Sequence, residues 1–363
     1  MTIVGAGIAG AAAAFFLSQL HGVTVRILEK EPRAGFHATG RNAAMVRRLV
    51  APSSLAQLAA EGAQFIESWA ASVGGDALMR TGGLIAGDEG ALNDLVVASD
   101  LLGSYRALPI TEIGSHIPAW RPTSDNHGGI LVPDDGVVDV ALLLEDLLRG
   151  ARKNGAELLL STCLEDVMVA DERVHSVQTN KGELATDVLI NAAGPWAGEL
   201  SAMAGATAIP MTPRKRHLHW TGPLSGSPSD VPYFWDITNN FYFRPESDGL
   251  LLCACDEEIE PPNDAQPSAN ALEFLSDRLE EHAPYLADLP IARTWAGLRT
   301  FAPDNQFVIG WDPTLTGFYW IAGLGGHGVT TCAAVGRLAA KQVAMGQSAA
   351  LDTSTPFSPD RLV

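Results

Sequence analysis

The stretch Thr2-Ile-Val-Gly5-Ala-Gly7-Ile-Ala-Gly10-Ala-Ala-Ala-Ala-Phe15-Phe-Leu-Ser-Gln-Leu20 joins a short apolar strand to a run of strong helix formers through three glycines. A second alternating run, Val23 to Leu28, ends on Glu29. Strand, turn, helix, strand and acid stand in the order of a dinucleotide-binding βαβ unit. Gly5 permits the tight turn, Gly7 lets a pyrophosphate approach the backbone, and Gly10 lets helix and strand pack closely. Ile8 and Ala9 open the helix, whose free N–H groups and positive dipole end suit phosphate. Glu29 stands where a carboxylate accepts from ribose hydroxyls. It disfavours a 2′-phosphate, which argues against NADP.

The rest of the chain is long enough for a second unit. Its 363 residues, 47% hydrophobic and 18% charged, describe a globular protein rather than a disordered one. A formal net charge of −18 disfavours nucleic acid and anionic membrane surfaces as partners. No apolar run reaches the 18 residues of a membrane span. The four cysteines, Cys163, Cys253, Cys255 and Cys332, form no C-x-x-C pair and no cluster with histidine. Reduced thiols, no metal site and a cytoplasmic location are therefore expected.

Helical patterns over 55–71 and 140–154 and a buried parallel-type strand over 188–193 continue the α/β character. A strand is expected over 157–164. From Lys215 to about Cys255 the chain alternates as an antiparallel sheet with one covered face. A Pro- and Asp-rich loop (257–267), a helix (269–282), strands around Val308 and Trp320, and a Gly-rich turn into a final helix (329–345) complete it. The expected fold is α/β: a discontinuous Rossmann-like dinucleotide-binding domain with a parallel sheet (1–75, 140–210 and 291–363), and a second, β-rich antiparallel-sheet domain (76–139 and 211–290) left to bind the substrate.

Three further motifs separate FAD from NAD. They are Gly35-Phe-His-Ala-Thr-Gly-Arg-Asn-Ala-Ala44, Asn191-Ala-Ala-Gly-Pro-Trp196, and Trp295-Ala-Gly-Leu-Arg299 continued by Gly323-Leu-Gly-Gly-His-Gly328. With these the sequence resembles the D-amino acid oxidase superfamily of FAD-dependent oxidoreductases through nearly its whole length. Within it, the sequence is most similar to D-arginine and other D-amino acid dehydrogenases and to glycine oxidases. The resemblance implies that Thr39, Gly40, Arg41, Asn42 and Ala43 run along the pyrophosphate and flavin. It puts Lys30 beside the adenosine ribose, the Leu164 backbone at adenine, and Ala193, Gly194 and Trp196 where the chain passes the cofactor. Gly297, Gly323, Gly325, Gly326, His327, Gly328, Val329 and Thr330 fall at the flavin. There the final helix points its positive end at the ring edge that gains charge on reduction. Relatives with covalent flavin attach it through a cysteine in the region of 298–304. That stretch has none here, so noncovalent FAD is implied.

The resemblance also implies the substrate site. An amino acid carboxylate needs a planar donor fork. Arg299 matches the family's carboxylate arginine, Arg216 a second one, and Tyr242 a tyrosine whose hydroxyl reaches the substrate. Held so, the α-carbon passes hydride to flavin N5, and the imine hydrolyses to a keto acid and ammonia. Oxygen or a quinone then takes the electrons. The substrate is a small molecule with a carboxylate. The acid that grips a guanidinium in D-arginine dehydrogenase falls near Gly82–Gly83 here, and the tyrosine and histidine of its substrate loop near Val50 and Met45. D-Arginine is therefore not implied. That loop carries Arg47 and Arg48 instead, and either one facing the pocket would suit an acidic side chain or a phosphonate. Two other readings stand beside this one. One is a 2-hydroxy acid dehydrogenase, which would need His217, His219 or His327 as base. The other is a flavin-binding subunit of a larger complex.

Overall fold

A computed structural model describes residues 1–99, 105–225, 231–351 and 355–363. Its centre is a six-stranded sheet in the order Val308–Trp311, Phe318–Ala322, Leu189–Asn191, Thr2–Val4, Arg26–Leu28, Glu157–Leu159. All neighbours are parallel except the first pair. The inner strands are mainly apolar and buried because both faces are covered. Helices Ile8–Leu17, Gly328–Met345 and Val140–Lys153 pack with Ser53–Val73 on one face. A three-stranded antiparallel sheet (Leu164–Ala170, Arg173–Thr179, Gly182–Ala185) and helix Ala197–Ala204 close the other.

The second unit is a nine-stranded mixed sheet. Its central strands are Thr212–Trp220, Gly249–Cys253, Phe241–Glu246 and Tyr233–Asp236. Alternation sorts their side chains. Phe241, Phe243 and Leu252 face helix Ala271–His282, whereas Leu218, Tyr242 and Cys253 form a separate cluster on the opposite face.

Two expectations are corrected. The strand Arg293–Phe301, placed with the FAD domain by the boundary at 291, pairs along all nine residues with Thr212–Trp220 in the second sheet. It sets the Arg299 guanidinium against Gly326 in the Gly323–Gly328 turn. The single strand expected over 157–164 splits. Glu157–Leu159 joins the parallel sheet, the chain turns through Ser161 at φ 49°, and Leu164 starts the antiparallel one. A two-residue strand, Glu258–Ile259, also lies inside the expected loop. Among the described residues no helix is long and apolar enough to cross a membrane, and no cluster of His, Cys, Asp or Glu could hold a metal.

Candidate active site

A cavity of about 490 Å³ lies between the two sheets, at the carboxyl ends of strands Thr2–Val4, Arg26–Leu28, Leu189–Asn191 and Phe318–Ala322. Ligands of open α/β sheets bind at that end. Both glycine turns border this one cavity: Gly5 and Gly7 with Ile8 and Ala9, and Gly323 to Thr330.

The residues fit a dinucleotide. Gly5 has φ +105°, and a Cβ there would come 2.4 Å from the Ala192 carbonyl oxygen. At Gly7 a Cβ would come 3.1 Å from Thr39 Oγ1, which accepts from the Ile8 N–H at 2.9 Å. Apart from the Ile8 N–H taken by Thr39, the start of helix Ile8–Leu17 has no cap from its own N-cap residue Gly7 and no acid in its first turn, so its positive end is open to an anion. Helix Gly328–Met345 begins the same way. Glu29 uses one oxygen for the Ala6 N–H (2.9 Å) and the other for the Glu31 N–H (3.0 Å). Each oxygen keeps a lone pair for a ribose hydroxyl. Lys30 Nζ sits 3.3 Å over the Trp196 ring, which leans on His37 at 4.6 Å. Lys30, Leu164, Ala193, Gly194 and Trp196 all line this end. Arg41 lines it too. It pairs with Asp264 and donates to the carbonyls of Ala265 (2.8 Å) and Ala296 (3.3 Å), pinning the loop with Thr39, Asn42 and Ala43 against the second sheet.

Two expected cofactor residues do not line the cavity. Gly10 and Gly40 are glycine because nothing larger fits: a Cβ would fall 2.0 Å from Gly5 O and 2.5 Å from Gly35 O respectively. Gly10 thus keeps the packing role read from the motif.

At the far end Arg216, Tyr242, Gly297 and Arg299 come together. Arg216 donates through Nε to the Asp256 carbonyl (2.7 Å) and through Nη2 to Glu257 (2.9 Å), leaving Nη1 toward Cys253 Sγ at 4.0 Å. Arg299 gives only Nη1 to Glu257, at 3.4 Å. Its guanidinium lies against Gly326, where a Cβ would meet Nη2 at 2.2 Å. Arg299 is therefore the freer fork. Burial, with Cys253 beside it, pushes the Tyr242 hydroxyl well above its usual range, so it remains a donor. Of the two loop arginines, Arg47 lines the cavity. Arg48 is buried against Asp135 (3.1 Å) and Glu67 (2.7 Å). Met45 lines the cavity, whereas Val50 is core.

The three candidate bases separate. His217 is bound to Asp256 at 2.6 Å and accepts the Ser268 N–H at 2.9 Å. His219 is buried, its pKa pushed down to about 4 by burial and by His217. Neither lines the cavity. His327 does, and its Nδ1 lies 3.1 Å from Arg47 Nη2. Burial, then Arg47 and Arg299, hold its pKa well below the ordinary value. A neutral ring accepting at Nδ1 carries its proton on Nε2 and has no lone pair left to offer.

Sequence reasoning missed Trp235, whose ring packs on Tyr242 at 5.6 Å and lines the cavity. Finding it required the register Trp235↔Tyr242 across the hairpin.

Comparison with known proteins supplies a family. The model of the family described as "DAO: FAD dependent oxidoreductase" matches residues 1–342. The chain is 26% identical over 364 residues to 4-methylaminobutanoate oxidase (formaldehyde-forming) of Paenarthrobacter nicotinovorans, covering 95% of this chain and 43% of that protein. It thus spans half or less of the length of the curated relatives it matches. Solved structures match end to end. L-Proline dehydrogenase from P. horikoshii is 25% identical with TM-score 0.86, covering 98% of this chain and 94% of that one. Iminodiacetate oxidase from Chelativorans sp. BNC1 is 25% identical with TM-score 0.78, covering 99% and 98%.

Proposed function

Since the chain belongs to the DAO family of FAD-dependent oxidoreductases, we propose that it oxidises a small amino acid or N-substituted amino acid at the carbon bearing nitrogen. D-Amino acids are the first class to test, and noncovalent FAD is the cofactor. When bound, FAD supplies the acceptor for the hydride that leaves the α-carbon. Arg299 holds the substrate carboxylate with its free edge, Arg216 adds its Nη1, and the Tyr242 phenol donates a third hydrogen bond. Together they fix the α-carbon in one orientation, and positioning of this kind accounts for much of the rate. The substrate's neutral amine provides the electron pair that forms the imine. Water then hydrolyses the imine to a keto acid and ammonia, or to a keto acid and the corresponding amine where the nitrogen carries a substituent. A cytoplasmic setting, with oxygen or a quinone taking the electrons, completes the reading.

The observation that carries it is His327. Oxidation of a 2-hydroxy acid needs a base for the hydroxyl proton. The one histidine bordering the substrate end has its acceptor nitrogen occupied by Arg47. An amine bound in its neutral form, its proton already lost to solvent, supplies its own electron pair and asks for no such base.

Anaerobic mixing with D- and L-amino acids, N-methyl amino acids and 2-hydroxy acids tests this. Bleaching of the flavin band by an amine panel is expected. Bleaching by 2-hydroxy acids alone would overturn the reading. Repeating the reaction in air distinguishes oxygen from a quinone as acceptor.

A further inference from the structure

Arg47 differs from the other arginines at the substrate end. Its backbone N–H is fixed to Thr330 Oγ1 at 3.1 Å, its guanidinium stacks 4.0 Å from the Trp235 ring centroid, and Nη2 meets His327 Nδ1 at 3.1 Å. Among the described residues no carboxylate lies within ion-pair reach of it. Of the acidic groups that act on it, Tyr233 is held un-ionised by burial and by Asp135, and Asp135 is already committed to Arg48 (3.1 Å) and the Tyr233 hydroxyl (2.6 Å). His327 cannot serve as counter-charge, since it is neutral. Burial and neighbouring Arg299 pull the Arg47 pKa down only to about 10, so it stays charged at neutral pH.

The charge around it does not balance. Arg47, Arg216 and Arg299 face this end of the cavity, and one carboxylate, Glu257, is shared by Arg216, Arg299 and the outlying Arg214. A single substrate carboxylate on Arg299 still leaves Arg47 without an anion, because Cys253, whose pKa, against the effect of burial, Cys255 and Arg216 bring down to about 6, lies against Arg216 and not against Arg47. Arg47 is half-buried on the cavity wall, and a guanidinium held there without an anionic partner is a ready site for an anion. The placement fits: Arg299 lies on Gly326 and Arg47 bonds His327, so two guanidinium groups flank two consecutive residues of one turn. With its face on Trp235 and one nitrogen on His327, Arg47 still has an edge for a bidentate oxyanion.

We infer that the substrate carries a second oxyanion, a carboxylate or phosphonate on its side chain or nitrogen, and that Arg47 binds it. This rests on the reading that Arg299 holds the α-carboxylate.

Calorimetric titration of the holoenzyme with non-oxidisable acids tests the site without turnover. Succinate, glutarate and 3-phosphonopropionate should bind at least 30-fold tighter than butyrate and pentanoate. The tighter of the carboxylate and phosphonate arms identifies the oxyanion. Anaerobic bleaching should likewise favour acidic amino acids, their N-carboxymethyl analogues or aminoalkylphosphonates over asparagine and glutamine. In Arg47→Met the ratio of kcat/KM for acidic over uncharged substrates should fall at least 30-fold. Wild-type enzyme that binds diacids no tighter than monoacids would overturn the inference, whatever the variant does. So would an Arg47→Met variant that loses both classes equally and shifts the flavin midpoint potential, which would assign Arg47 to the cofactor. Tight diacid binding with bleaching only by hydroxy-diacids would keep the second-anion site and remove the amine reading instead.

Discussion

In the proposed reading Arg299 carries the most weight of any single side chain, because its fork is only half engaged by Glu257 and it lines the cavity. Replacing it with methionine removes a charged, desolvated contact worth about 2–4 kcal/mol, so kcat/KM should fall roughly 30- to 900-fold with FAD still bound. Steady-state kinetics alongside the flavin-to-protein absorbance ratio checks this, and an unchanged kcat/KM would remove Arg299 from the site. His327 yields a second expectation. Its native pKa is depressed, so between the ordinary value of about 6.5 and the native value the unfolded chain binds a proton that the folded chain refuses. Its contribution is complete above about pH 6.5 and is lost as pH falls below that. Denaturant midpoints measured from pH 7.5 to 5 should decline more steeply in the wild type than in His327→Gln. Parallel curves would mean the ring is not held neutral.

The two glycine turns and the helices behind them set where such side chains can act. In Ile8–Leu17 the glycine spacing is a matter of ångströms, since a methyl at Gly10 would collide with the carbonyl of Gly5. Gly10→Ala should therefore force the turn open, lowering both FAD content and Tm. Gly198 provides the control. It lies inside helix Ala197–Ala204, and the nearest atom to a new Cβ would be Met211 Cβ at 3.5 Å. Gly198→Ala should leave FAD content intact and raise stability by about 0.5–1 kcal/mol through helix propensity. Equal losses in both variants would show that close packing at Gly10 is not what the motif protects. These local patterns are what a sequence displays well. The fingerprint, Glu29, the Gly323–Gly328 turn and the apolar parallel strands all announce themselves through spacing and periodicity. Pairing partners do not, and Arg293–Phe301 looks no different whether it edges one sheet or the other. Its place follows from nine residues of register with Thr212–Trp220.

For the molecule as a whole, the cavity is bounded by both sheets, so neither unit completes it alone. FAD should thus tie the units together. Ligand bound only by the native state stabilises it by mass action, about 4 kcal/mol when free FAD exceeds Kd a thousandfold. Thermal unfolding of apoprotein titrated with FAD should show Tm rising with concentration, and an invariant Tm would place the cofactor elsewhere. The same architecture explains the limits of the sequence reading. Arg216, Tyr242 and Arg299 are named in the sequence through the family resemblance, and all three line the cavity. That Glu257 links two of them, that Arg48 is neutralised by Asp135 and Glu67, and that Arg47 is not, depend on loops brought together from remote parts of the chain. The most direct test is an absorption spectrum of the FAD-loaded protein, taken anaerobically before and after amino acids are added. Flavin bands that bleach with an amine substrate, and no longer do so at the same concentration in Arg299→Met, are expected. A protein that takes up no FAD, or a flavin that no amino acid reduces, would contradict the account.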